Sequence, residues 1–298
     1  MLKKQLLCTY PISFLQDKLH GIMSGDMIMI AASTGVGKST LSRIIVNHAI
    51  SEDCPAVLFS LEDEPQMFAT DAVYREYLSK AFEPLDFREW LLDYSNNQDK
   101  YKEYAIEAAK KAVRTTSNRV KACVVYEMKT PNWSLEEITS KILQHYEQGY
   151  RLFILDHIDV LVPSEAPADM VRAINDLWRL VAEKQIALIT FSQLASNRNK
   201  DSLCAGIDDL RGSKAKVHTP TIVLSIARHI YGYYPDVLGK PTYCRILKNR
   251  QGGNTCAAVI YFNRGTYAQN YTEVKSNESG TTIDGETVTS LIKKQEVD

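Results

Sequence analysis

Apolar residues along the chain gather in short runs separated by charged, helix-forming stretches. The runs Met27–Ala32, Ala56–Leu61, Ala122–Tyr126, Leu152–Leu155, Ile186–Phe191 and Thr221–Ile226 have almost no polar interruption. Such runs predict strands buried on both faces, the pattern of a parallel sheet covered by helices. Between them the spacing turns helical. Leu41, Ile44, Ile45 and Val46 follow the first run. Residues 65–118 are rich in charge and place Met67, Phe68, Val73, Tyr77 and Leu78 near helical intervals, which predicts two or three surface helices. Ser134 and Glu137 stand at the spacing of a capping box that opens another helix. Val171, Ile174, Leu177, Trp178 and Val181 form the apolar stripe of one more. Thr242–Arg250 and Ala257–Phe262, joined through Gln251–Thr255, read as a hairpin with Lys248 and Arg250 at its tip-side end. The alternation of strands and helices defines an α/β fold with a mostly parallel sheet. Residues 1–20 read as a short lead-in of mixed polarity, 21–269 as one domain and 270–298 as a flexible polar tail, with a helical turn possible at Val288–Lys293.

Composition narrows the function classes. Of the 298 residues 45% are hydrophobic, enough for a core without covalent staples, and a formal net charge of −1 demands no polyanionic partner. Nucleic-acid binding then requires a local basic cluster. The six cysteines are scattered singly, without Cys-x-x-Cys and without histidine at ligand spacing, so they read as reduced thiols rather than disulfides or a zinc site. The first residues lack the apolar run of a signal peptide. No stretch approaches the roughly 20 apolar residues of a membrane span, and a cytoplasmic, non-secreted protein is expected.

The run Met27–Ala32 continues into Ser33, Thr34, Gly35, Val36, Gly37, Lys38, Ser39 and Thr40. A strand feeding small residues and then Gly-Lys-Ser is the form of a phosphate-binding loop. Its backbone N–H groups turn around the phosphates, its lysine reaches the terminal phosphates and its hydroxyl ligates Mg²⁺. Ala32 stands where the full Walker pattern has glycine, but Gly35, Gly37, Lys38 and Ser39 keep the turn, the cation and the metal ligand. The strand 56–61 runs into Glu62-Asp63-Glu64, carboxylates placed to orient water or metal. Leu152–Leu155 ends in Asp156, the form of a Walker B strand whose carboxylate holds Mg²⁺. His157 beside it reads as a local packing or hydrogen-bonding group. Gln193, at the end of the 186–191 strand, is placed to bond a phosphate or the attacking water. The local basic cluster spans Asn197–Lys200 and Asp209–Lys216.

The order of these motifs resembles the RecA-like ATPase domain of replicative hexameric helicases, the DnaB-like family. Ser24-Gly25-Asp26 leading to Gly37-Lys38-Ser39, Phe59–Glu62, Leu155-Asp156, Phe191–Leu194, Asp209–Ser213 and Lys248–Gly252 carry the resemblance, which covers roughly residues 9–268. It implies a P-loop ATPase that binds Mg²⁺ and ATP and assembles with itself, as a hexamer around single-stranded DNA, with other replication or recombination proteins as partners. By the same resemblance Glu62 is the general base, Gln193 the γ-phosphate sensor and Arg250 an arginine finger acting on the neighbouring subunit's nucleotide beside Lys248. Arg211, Gly212, Lys214 and Lys216 would face the DNA. Two other readings fit the same core: a RecA/RadA-like recombination ATPase, and a slowly turning ATP-gated scaffold for a protein partner.

Overall fold

The computed structural model describes residues 4–32, 35–61, 65–116, 119–122, 124–128, 134–162, 167–194, 214–228, 240–253, 255–262 and 271–274. The lead-in is more regular than its mixed polarity predicts. Strand β1 (Leu6–Cys8), helix α1 (Ser13–Leu19) and β2 (Ile22–Met23) fold back as a small antiparallel pair, and α1 buries Phe14, Leu15 and Leu19. Strand β3 (Met27–Ala32) feeds helix α2 (Lys38–Ser51) and is followed by β4 (Ala56–Ser60). The expected surface helices are α3 (Pro65–Leu78), α4 (Phe87–Asn96) and α5 (Lys102–Lys111), which lead to β5 (Val113–Thr116), β6 (Arg119–Ala122) and β7 (Val124–Met128). Next come α6 (Leu135–Glu147), β8 (Leu152–Asp156), α7 (Pro167–Lys184) and β9 (Ala187–Gln193). The short helix α8 (Ala215–His218) precedes β10 (Ile222–Arg228), β11 (Lys240–Asn249), β12 (Ala257–Phe262) and β13 (Tyr271–Val274).

Among the described residues a nine-stranded sheet forms the centre, in the order β13-β12-β11-β10-β3-β9-β8-β4-β7. From β10 to β7 every neighbour is parallel, whereas β11, β12 and β13 join antiparallel at one edge. The last of these lies where the sequence predicts a tail, so the sheet continues to Val274. Side-chain alternation distributes the parallel strands between two apolar layers. Ile28, Ile30, Leu58, Ile154 and Ile189 pack with α1 and α2, while Met27, Met29, Val57, Phe153 and Leu188 pack with α6 and α7. That is why near-continuous apolar runs were legible as strands. A separate aromatic cluster of Tyr74, Tyr77, Phe87, Trp90 and Tyr101 holds α3, α4 and α5 together. A buried ion pair, Arg43 with Asp71, ties α3 to the phosphate-loop helix.

Local signals act as the sequence predicts at two places that matter for the site. The Ser134 hydroxyl accepts from Glu137 N at 3.2 Å, and Ser134 N donates to the Glu137 carboxylate at 3.0 Å, closing the capping box of α6. In the turn before β3, Gly25 has φ +77°, a left-handed conformation that glycine adopts without strain. The neighbouring Asp26 is fully buried. Its carboxylate receives Lys4 Nζ at 2.6 Å, Met23 N at 3.1 Å and Gln251 Nε2 at 2.5 Å, so one acid locks the lead-in and the β11–β12 turn to the root of β3.

Candidate nucleotide site

Parallel strands present their carboxyl ends at one sheet edge, and register brings the predicted chemistry together there. Strand β9 lies between β3 and β8. Ala32, at the mouth of the loop, is level with Gln193, and Asp156 is level with Ser60 on the other side. Gln193 therefore stands at the strand end between the phosphate loop and Asp156. Leu61 N donates to Asp156 O at 2.9 Å and carries the β4 chain along the same edge. Glu62, the expected general base, lies outside the described residues, as do Ser33 and Thr34 of the loop and Arg211 and Gly212 of the basic cluster.

The loop enters α2 through two left-handed glycines, Gly35 at φ +78° and Gly37 at φ +108°. A Cβ on Gly35 would meet no heavy atom within 4 Å, so backbone conformation rather than crowding calls for glycine there. Gly37 is the N-cap and offers no side-chain cap, which leaves the first-turn N–H groups of Lys38, Ser39 and Thr40 for an anion at the positive end of the helix dipole. Val36, within the loop, is buried in the core cluster that α1 and α2 also enter.

Asp156 is buried, and a residue with no role assigned from the sequence holds it. Ser42 Oγ lies 3.0 Å from Asp156 Oδ2 and 2.9 Å from the Ser39 carbonyl, one turn below the loop hydroxyl. The clue is its place three residues after Ser39, on the same face of α2. A hydroxyl at Ser39 and a carboxylate at Asp156 are hard oxygen donors, the set that suits Mg²⁺ beside phosphates. Ser42→Ala is expected to weaken Mg²⁺ binding about tenfold, as loss of an outer hydrogen bond to a ligating carboxylate does. The measurement is the Mg²⁺ concentration for half-maximal binding of a fluorescent ATP analogue.

Around Gln193 a polar network is organised by Asp159. The Asp159 carboxylate accepts from Gln193 N at 2.9 Å, pairs with His157 Nδ1 at 3.3 Å and with Lys216 Nζ at 2.5 Å. His157 Nε2 lies 3.5 Å from the Gln193 side-chain amide, so this histidine bonds locally, as its sequence position suggests. Burial pushes the Asp159 carboxyl up, but His157, Lys216 and the Gln193 N–H outweigh it and hold the group well below the ordinary carboxylate range.

Lys216 is thereby turned away from the surface on which the sequence places it: only 1% of the residue is exposed. A buried ammonium needs its counter-ion, and Asp159 supplies one. Lys214 is exposed, as predicted. The hairpin cations are also engaged within the protomer. Lys248 Nζ donates to the carbonyls of Val217, His218 and Pro220 at 2.6, 2.7 and 2.7 Å, and Arg250 Nη2 donates to the His218 carbonyl. Burial, then the nearby Arg250 charge, pushes the Lys248 ammonium down to about 8. Arg250 itself stands exposed in the turn after β11.

A phosphate loop, a carboxylate two strands away and a glutamine amide on the strand between them define a RecA-like phosphate-loop fold. Residues 10–270 match the DnaB-like helicase C terminal domain, and the chain belongs to that family. The chain is 26% identical over 223 residues to the replicative DNA helicase DnaB of Leifsonia xyli subsp. xyli, covering 72% of this chain and 45% of that protein. It thus spans about half the length of this relative. Among solved structures, an ATPase domain superposes with a TM-score of 0.70 at 16% identity, covering 91% of this chain and 93% of that one. A DnaB-like replicative helicase, described with its interactions with primase, superposes with a TM-score of 0.68 at 17% identity, covering 89% and 62% of the two chains.

Proposed function

We propose that the protein is an ATP-hydrolysing motor that moves on single-stranded DNA in the cytoplasm, closing its sites between subunits of a ring, a hexamer. The observation that carries this reading is the position of Gln193 between the phosphate loop and Asp156, inside a network that ends at Lys216. Gly35, Gly37 and Lys38 cradle the phosphates, with Ser33, Val36, Thr34 and Thr40 completing the loop. Ser39 and Asp156 would hold Mg²⁺, which when bound neutralises charge on the β- and γ-phosphates. Glu62 orients and deprotonates water, and Gln193 bonds the γ-phosphate, its backbone fixed by Asp159. Arg250 of a neighbouring subunit stabilises charge on the transferred phosphoryl group. Its exposure on a turn anchored through Gln251 and Asp26 suits a group that works on another protomer. Lys248, with three carbonyls around its ammonium, braces this turn in the free protomer. Reaching a phosphate requires that it leave them. Lys214 and Arg211, with the Gly212 backbone, contact the DNA phosphates.

Two measurements on the full chain test this reading: steady-state ATPase with and without single-stranded oligonucleotide, and particle mass by mass photometry under the same conditions. DNA should stimulate turnover, and a species near six protomers should form with Mg²⁺, an ATP analogue and DNA. A monomer with DNA-independent turnover would sink the motor and favour an ATP-gated scaffold.

A further inference from the structure

A second cluster lies at the far end of the phosphate-loop helix and takes no part in the nucleotide site. Strand β1 ends at Cys8, while the last turn of α2 and its C-cap carry His48 and Glu52, four residues apart and so on one helix face. One ligand atom from each of Cys8, His48 and Glu52 can be chosen so that all lie within 4.8 Å of one another. Cys8 Sγ is 3.4 Å from Glu52 Oε2, and His48 Nε2 is 3.5 Å from Glu52 Oε1. A tetrahedral zinc site, with bonds of about 2.3 Å to sulfur and about 2.1 Å to nitrogen or oxygen, separates sulfur from oxygen by about 3.6 Å and nitrogen from oxygen by about 3.4 Å. Two of the three pairs stand near that spacing, each through a different oxygen of Glu52, and all three lie within 4.8 Å, so drawing the ligands onto one ion calls for side-chain rotation.

We propose that Cys8, His48 and Glu52 form a zinc site that staples the first strand to the end of α2. A thiolate, an imidazole and a carboxylate are a ligand set for zinc rather than for Mg²⁺ or Ca²⁺. The ion would sit at the carboxyl end of a 14-residue helix, where the helix dipole favours a cation. Access is graded: Cys8 is buried, His48 half-buried and Glu52 exposed, which leaves one side open for entry and for a water as fourth ligand. Burial, with the Arg75 charge and against Glu52, pushes the His48 imidazole down, the direction that favours the uncharged ring. The Cys8 thiol is pushed far up by hydrogen bonding to the Cys54 thiol, by burial and by Glu52. A dication reverses that balance, and metal binding releases the Cys8 proton to solvent as the S–Zn bond forms.

Thr9 is the group the ion must displace. Its hydroxyl lies 2.8 Å from His48 Nε2 and donates to Glu52 Oε1, contacts that hold the ligands together in the ion-free form. Thr9 N donates to Glu52 Oε2 at 2.8 Å and can keep that bond as an outer-shell support when the hydroxyl turns aside.

The test uses the full chain without nucleotide, titrated with Co²⁺ and then Zn²⁺. One equivalent of Co²⁺ should produce a thiolate-to-cobalt charge-transfer band with the visible bands of tetrahedral cobalt, and one equivalent of Zn²⁺ should erase both. The Ser39–Asp156 site holds no thiol and is silent in this readout. Cys8→Ser should lose the charge-transfer band, and His48→Gln should weaken Co²⁺ binding at least tenfold. Zn²⁺ should raise the melting temperature of the wild-type chain and not that of His48→Gln, which keeps the test valid if Cys8→Ser folds poorly. Absence of the band in the wild type, or its survival in Cys8→Ser, would overturn the assignment. A melting shift without the band would overturn it too, since zinc would then be bound elsewhere.

Discussion

Arg250→Ala is expected to slow ATP hydrolysis by about a thousandfold, the lower end of what an arginine finger contributes, while nucleotide binding stays within about twofold of wild type. The argument rests on where the structure leaves this side chain. Arg250 sits exposed in the turn between β11 and β12, at the end of the antiparallel part of the sheet, with Thr221 and His218 carbonyls accepting from its backbone and guanidinium. Truncation keeps the backbone bond to Thr221 and loses only the guanidinium bond to the carbonyl of the exposed His218, which water readily replaces, so it should cost little folding stability. A finger that acts on the next subunit has a signature that no fold defect can imitate. Mixing Arg250→Ala with Lys38→Ala should restore hydrolysis, because a random ring pairs an intact phosphate loop with an intact arginine at about a quarter of its interfaces. Steady-state ATPase of the mixtures against each variant alone reads this directly. A mixture no more active than its components would remove Arg250 from the catalytic site.

Most of the sheet was legible because a strand buried on both faces has little room for polar residues; Met27–Ala32 and Leu152–Leu155 are apolar throughout, and the buried Asp156 that ends the second run stands out against it. The phosphate loop was legible because its chemistry is local: a left-handed Gly37, a cation and a hydroxyl in sequence. What sequence hides is the pairing of residues far apart. Lys216 reads as a DNA-facing cation until Asp159, 57 positions earlier, is brought to it by the short helix α8. Cys8 reads as a lone thiol until β1 is laid along the end of α2, 44 positions from Glu52. Helix α1 was hidden for a different reason. Its seven residues carry only Phe14, Leu15 and Leu19 as an apolar face, too short a pattern to separate from a loop. In each case the missing signal is tertiary. Ser42 lies between the two situations, since its helical spacing from Ser39 was visible while its partner Asp156 was not.

Lys216→Met should destabilise the protein by about 3 kcal/mol, because it leaves the Asp159 carboxylate without its cation while keeping the bulk of the side chain. Breaking a fully buried pair costs about 3–5 kcal/mol, and the 21% exposure of the Asp159 side chain places this case at the low end. The pH dependence separates charge from packing. Asp159 is held well below its ordinary range in the folded wild type, so its contribution is complete above the unfolded carboxylate value of about 3.9 and is lost as pH falls toward the folded value. Without Lys216 the folded value rises. The deficit of the variant should therefore be largest near neutral pH and should shrink below about pH 4. Urea denaturation across that range reads it, and a deficit that stays constant with pH would assign the loss to packing. Asp159→Asn added to Lys216→Met should recover part of the loss near pH 7, since a neutral amide needs no counter-ion. The same carboxylate fixes the Gln193 backbone at 2.9 Å, so the variant should also blunt stimulation of the ATPase by single-stranded DNA more than it weakens nucleotide binding. Lys216 lies three residues beyond Ser213 in the basic cluster. On the proposed reading, in which the cluster contacts DNA, this buried ion pair links Lys216 to the Gln193 backbone, and removing it should leave a site that binds ATP and responds less to DNA.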